Sequence, residues 1–288
     1  ARLLPYRQPA LASGMRAAPT MTVSFRRSMA PRRLRALPLE CRQPMPRKSF
    51  FGHDGMSDIK SSELHAAPLP VSVGVEGVDD RFFVRRIICV GRNYADHARE
   101  MGADPDKEPP FFFFKPTDTI VENGASVPYP PLTSHLHHEV ELVVAIGEGG
   151  ADLAVEDAQG RIFGYAVGID MTRRDLQLKA REMGRPWDWG KGFDHSAPCS
   201  AIVPASRIGH PSTNKITLKV NDELRQGATL SDLIWTVPEI VSIVSGAMAL
   251  QPGDLIFTGT PAGVGPLNRG DSVVAEVEGV ARLEVMIS

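Results

Sequence analysis

The stretch His137–Gly147 (HHEVELVVAIG) constrains this chain more than any other. Two acids, a valine-rich apolar run and a closing glycine read as a strand. Side chains alternate faces along a strand, so Glu139 and Glu141 share one face while Val140 and Leu142 turn to a core. Two carboxylates side by side repel each other. Either this is a solvated edge strand with ordinary surface glutamates, or the pair meets a cation. The rest of the chain bears on that choice.

With 288 residues there is room for one large domain or two small ones. A hydrophobic share of 42% and a charged share of 23% are ordinary for a soluble globular protein. The net charge of -2 gives no electrostatic reason to expect nucleic acid or an anionic membrane as partner. Cys41, Cys89 and Cys199 lie too far apart in sequence to form a disulfide framework or a zinc motif, and a reducing compartment is expected. No apolar run is long enough to span a bilayer. Residues 1–53 are rich in Arg and Pro, with Glu40 as the only acid. Such a composition buries little apolar surface, so residues 1–60 are expected to be a disordered leader outside the fold. It is either a mitochondrial transit peptide or translation from a start placed too early, with Met56 opening a more typical sequence. The expected compartment is the cytoplasm, or the mitochondrion if the leader is a transit peptide.

Short strands begin near Val71, and Arg81–Val90 carries apolar residues into Gly91. Asn93 or Asp96 is placed to cap a short helix that Gly102 ends. On it His97 and Glu100 are three residues apart, hence on one face. They are either a surface pair or a dyad in which the glutamate orients a general base. Asp104–Pro110 has the composition of a mobile lid. FFFFKP then delivers Lys115 at the end of a buried strand, and GYAVGID ends a second one on Asp170. Thr172 to Asp175 has capping-box spacing and predicts a helix to about Met183. Asp170 therefore sits at a strand-to-helix corner, either as a cap or as a third carboxylate beside Glu139 and Glu141. Three carboxylates are a ligand set for a hard divalent cation such as Mg2+, Mn2+ or Ca2+ rather than zinc. Gly184–Pro198 reads as a loop holding Lys191 between two glycines. Hairpins follow at Asn221-Asp222 and Gly279, with a helix over Val237–Leu250 between them. Gly259, Thr260, Pro261 and Gly263 form a tight loop whose donors suit a carboxylate.

Taken in order, these residues carry a resemblance. Gly91 to Tyr94 with His97 and Glu100, Lys115-Pro116, His138 and Val140 framed by two glutamates, Asp170-Met171-Thr172, Asp175 with Gln177, Lys191, and Thr258 to Pro261 resemble the fumarylacetoacetate hydrolase superfamily. The likeness covers residues 70–288 and is strongest to the branch of fumarylpyruvate hydrolases and acylpyruvases. It implies an α+β, mainly β fold, a mixed β-sandwich roll with flanking helices. Short N-terminal strands are expected over residues 61–85 and a catalytic domain over 86–288, usually as a homodimer. Carried onto this chain, the family pattern implies Glu139, Glu141 and Asp170 as ligands of Mg2+, or of Mn2+ or Ca2+. It implies His97, Glu100 and Lys191 as catalytic, and Arg92, Lys115, Gln177 and Thr260 as substrate-binding. Trp187 and Trp189 have no role in the pattern. The implied activity is hydrolysis of a carbon–carbon bond in a 2,4-dioxo acid, fumarylpyruvate to fumarate and pyruvate. Oxaloacetate decarboxylation or isomerisation of a hydroxymuconate-type dioate would use the same metal site. A non-catalytic oxo-acid binder would keep the carboxylates without the dyad and the basic loop.

Overall fold

The computed structural model describes residues 70–100, 102 and 109–288. The leader expected over residues 1–60 lies outside them, as do residues 104–108 of the expected lid. Among the described residues no helix is long and apolar enough to cross a membrane. The fold is α+β and mainly β, as the resemblance implied.

A six-stranded sheet runs in the order Val203–Pro204, Ile162–Ile169, Val140–Ile146, Asp254–Phe257, Arg86–Gly91, Phe111–Lys115. Its neighbours are antiparallel except for the parallel pair Asp254–Phe257 and Arg86–Gly91. Val140–Ile146 is a central strand, and every residue in it is buried. Val140, Leu142, Val144 and Ile146 pack in the core shared with a five-stranded sheet that contributes Ile216, Leu218, Ala275 and Leu283. Val143 and Ala145 face the opposite way, into a second apolar layer with Ile87, Cys89, Leu255 and Phe257. Glu141 lies on that second face by alternation. The edge-strand reading of the two glutamates is therefore overturned. Both sides of the strand are needed for packing, as in sheet-on-sheet cores.

The expected single strand from His137 is two. Leu136–His138 belongs to a three-stranded sheet with Thr172–Arg173 and Gly265–Pro266. The chain leaves that sheet at Glu139, whose carbonyl accepts the Asp170 amide at 2.8 Å, and enters the large sheet at Val140. The hairpin at Asn221-Asp222 is present, and φ of 50° and 66° at the two residues gives the twist that suits a two-residue turn. The helix Val237–Ala247 opens on a capping box from Thr236 to Glu239, with Pro238 in its first turn.

Two helical expectations need correction. Thr172 and Asp175 form no capping box. Thr172–Arg173 pairs as a strand, and helix α2 begins at Arg174 and runs to Glu182 with no side-chain cap. The reason is that both side chains have other partners. The Thr172 hydroxyl accepts from Lys191 Nζ at 2.8 Å, and Asp175 accepts from the Thr133 hydroxyl at 2.6 Å. The expected loop over Gly184–Pro198 contains a further helical turn, Asp188–Lys191, that puts Lys191 inside the molecule.

Candidate active site

The site lies where strands end and change sheets. Glu141 is the second residue of the central strand, paired with Gly168, and Asp170 follows Ile169, the strand end paired with Val140. The two segments therefore bring Glu139, Glu141 and Asp170 together through register, although they are far apart in sequence. One carboxylate oxygen from each lies within 4.8 Å of the others, and all three side chains are buried. Among the described residues this is the one cluster of acids, histidines and cysteines close enough to share an ion.

The strand Asp254–Phe257 ends beside Glu141. There the Gly259 amide donates to Glu141 Oε2 at 2.7 Å. Gly259 has φ of +97°, and a Cβ on it would lie 2.6 Å from Asn93 Cβ, so glycine is required for that approach. Asn93 does not cap its helix. Its side chain donates to the Thr258 carbonyl at 2.8 Å and accepts from the Trp235 amide at 2.7 Å, holding the start of α1 (Ala95–Glu100) against this loop. Asp96 lies within α1 and pairs with Arg99 at 2.7 Å.

Basic side chains surround the acids. Lys191 is buried, and its Nζ donates to Glu139 Oε2 at 2.7 Å, Asp170 Oδ2 at 2.6 Å and the Thr172 hydroxyl at 2.8 Å. Its three N–H groups are thereby all used. The Phe113 ring lies 5.0 Å from the same ammonium. Lys115 reaches the Met171 carbonyl at 3.1 Å and the Lys191 carbonyl. Its Nζ also stands 2.8 Å from Asp170 Oδ1, close enough for an ion pair but not aligned as a hydrogen bond, so that buried oxygen has no hydrogen-bond donor. Arg174 donates to Glu139 and to the Gln177 side chain.

The electrostatics follow from these contacts. Burial alone would raise Glu139, but the Lys191 ammonium and the Arg174 guanidinium outweigh it and hold its carboxyl below the ordinary range. Burial pushes Glu141 well up, and Asp170 and Glu139 push it further. Burial would lower Lys191, but Asp170 and Glu139 keep it raised. A divalent cation fits this donor set. It would give Asp170 Oδ1 a partner and relieve Glu141 of its like-charged neighbours.

The acids line a cleft together with Arg92, His97, Gln177, Arg181, Trp187 and Thr260. His97 Nδ1 is 3.3 Å from Glu100 Oε2, which leaves Nε2 as the free edge of the ring. Burial lowers the His97 pKa, only partly offset by Glu139 and Glu100, so the ring is neutral at pH 7. Arg92 has φ of 56° and lies 5.4 Å from the centre of the Phe111 ring. Trp187 packs edge-on against Phe111 at 5.1 Å and near Phe113 at 5.8 Å, forming one wall.

The model of the fumarylacetoacetate (FAA) hydrolase C-terminal domain matches residues 86–288.

The chain belongs to the fumarylacetoacetate hydrolase family.

Within the family it is 47% identical over 189 residues to a fumarylpyruvate hydrolase of Ralstonia sp., covering 65% of this chain and 98% of that protein. It is 42% identical over 199 residues to a mitochondrial oxaloacetate tautomerase of Arabidopsis thaliana, covering 69% of this chain and 89% of the relative. Among solved structures, the fumarylpyruvate hydrolase of Pseudomonas aeruginosa in complex with Mn2+ and pyruvate superposes with a TM-score of 0.76 at 52% identity, covering 78% of this chain and 98% of that one.

The fold thus brings together the ten residues of the expected site: Glu139, Glu141, Asp170, Lys191, Lys115 and Gln177 at the acidic centre, and Arg92, His97, Glu100 and Thr260 around the cleft. Sequence reasoning missed Arg174, which lies next to residues that were chosen and bonds Glu139. It also left Trp187 unassigned. A run of aromatics in FFFFKP was the available signal for a matching wall.

Proposed function

We propose that the chain is a divalent-metal-dependent hydrolase of acylpyruvates, with fumarylpyruvate as the leading substrate and Mg2+ as the leading ion, Mn2+ or Ca2+ being the alternatives. The observation that carries this is the convergence of three buried carboxylates in a cleft that also holds a neutral His97 backed by Glu100. Support comes from the fumarylpyruvate hydrolase relatives, one of them solved with Mn2+ and pyruvate. The charge count points the same way. Three carboxylates face Lys115, Lys191 and Arg174, so an added divalent ion leaves the centre positive. A dianionic dioxo acid is the complement.

Glu139, Glu141 and Asp170 would hold the ion, which when bound supplies positive charge for a developing enolate oxygen. Thr260 and Gln177 face the substrate carboxylate. His97, through Nε2, takes a proton from water as its oxygen adds to the carbonyl at C4, while Glu100 holds Nδ1–H and the resulting charge. The C3–C4 bond then breaks, its electron pair moves into the C2 enolate, and a proton returned to C3 gives pyruvate beside the released carboxylate. Lys191 and Lys115 keep fixed positive charge beside Asp170 throughout. The working form is taken to be a cytoplasmic homodimer, or a mitochondrial one if residues 1–53 are a transit peptide.

The test is a panel of fumarylpyruvate, acetylpyruvate and oxaloacetate with Mg2+ or Mn2+, following loss of dioxo-enol absorbance and formation of pyruvate. Hydrolysis of fumarylpyruvate with a kcat/KM above 10-fold that for oxaloacetate is expected. A chain that acts on oxaloacetate and on neither acylpyruvate overturns the proposal.

A further inference from the structure

Gln226, from the strand Glu223–Thr229 of the five-stranded sheet, belongs neither to the acidic centre nor to the cleft lining, yet it is 1% exposed and fully hydrogen-bonded. Its Oε1 accepts from the Val140 amide at 3.1 Å and from His138 Nδ1 at 2.8 Å. Its Nε2 donates to the Pro261 carbonyl at 2.9 Å and to Thr260 Oγ1 at 2.8 Å. A backbone amide can only donate and a backbone carbonyl can only accept, so Val140 and Pro261 fix which end of the side chain is which. Both amide hydrogens are then committed, and Thr260 Oγ1 is an acceptor toward Gln226. A hydroxyl has one proton. With its oxygen accepting on the protein side, Thr260 keeps that proton for an acceptor in the cleft it lines.

We propose that Gln226 is a positioning residue: it orients the Thr260 hydroxyl as a donor to the carboxylate of a bound 2-oxo acid. The inference rests on the reading of the cleft as an oxo-acid site, and it assigns to Gln226 a role in substrate affinity at one bond's remove. It also explains why a polar side chain of the outer sheet is threaded into the junction between His138 and Val140. The same amide ties the five-stranded sheet to the mouth of the central strand, and of its four partners Thr260 is the one that lines the cleft.

Gln226→Glu reverses that direction. The carboxylate keeps its bonds from Val140 and His138 but presents an acceptor to Thr260, whose hydroxyl then turns inward to donate to it. Pyruvate binding to the Mg2+-loaded full chain is measured by calorimetry for wild type, Gln226→Glu, Thr260→Val and the double variant. KM and kcat are measured in parallel on the best substrate of the panel. Losing a hydrogen bond to a charged group predicts about a 10–100-fold rise in pyruvate Kd and in KM for Gln226→Glu, with kcat changed less. The double variant is expected to be no weaker than the worse single one, because both remove the same proton from the cleft. Gln226→Met, of similar size and without a donor, gives the same non-additive pattern if Gln226→Glu does not fold. Additive losses, a fall in kcat at unchanged KM, or no pyruvate binding by wild type overturns the proposal. If wild type binds pyruvate but hydrolyses nothing on the panel, the hydrolase reading fails while the Gln226 test still stands.

Discussion

Glu139 and Glu141 are two residues apart, yet their carboxyl groups live under opposite electrical conditions. Glu139 faces Lys191 and Arg174 directly. Glu141 accepts a single backbone amide, and burial with the charges of Asp170 and Glu139 outweighs Lys191 beside it. Replacing each with glutamine should therefore act differently on the protein without its ion. Glu139→Gln breaks two buried ion pairs and leaves cations uncompensated, so it should cost about 3–5 kcal/mol. Glu141→Gln keeps an acceptor for the Gly259 amide and removes the repulsion. It should raise the melting temperature in chelator by about 2–4 °C, near 1 kcal/mol for a chain of this size. Both should abolish the further rise on adding Mg2+. Thermal melts with chelator and with Mg2+ check this, and a fall in Tm for Glu141→Gln in chelator would contradict the account of its surroundings. At this scale much was legible from sequence, because acids on an apolar strand are costly unless something meets them. Arg174 was not, since a single arginine on a helix carries no sign of which carboxylate it will reach.

Helix α2 and the turn Asp188–Lys191 meet at Gly190. A Cβ there would stand 2.9 Å from Gln177 Cβ and 3.0 Å from its backbone nitrogen and Cα. The obstruction is helix backbone, so Gly190→Ala should push the turn away from α2 and carry Lys191 off the acids. The expected outcome is a loss of about 1–3 kcal/mol in stability together with a fall in kcat/KM. Denaturant melts and steady-state kinetics read the two effects, and wild-type values for both would show that the contact is looser than the geometry says. The sheet elements were easy to anticipate, since Val140–Ile146 and the Asn221-Asp222 hairpin announce themselves through alternation and turn residues. The start of α2 was not. The Thr172 hydroxyl that the spacing assigned to a cap is taken by Lys191, nineteen positions on. The turn that carries Lys191 is four residues long, too short for any apolar period to show.

For the molecule as a whole, the ends of several strands must stay in register for the cleft to exist, and three histidines lie among them. Burial lowers the pKa of His97, His137 and His138, with His137 brought down to about 4. The sign follows from linkage. The unfolded chain binds these protons near pH 6.5 and the folded chain does not, so their contribution to stability is full above pH 6.5 and shrinks as pH falls toward 4. Melting temperatures taken from pH 7.5 to 4.5 should drop most steeply below 6.5, and His137→Gln should flatten that slope. An unchanged slope in the variant would place the sensitivity elsewhere. The basic groups standing around the acidic centre have one last consequence. Because they answer its charge from within the polypeptide, the scaffold can be completed in a chelating medium. Loading is then a separate, later event, and the free-ion pool around the finished protein, rather than its folding route, selects which ion it works with.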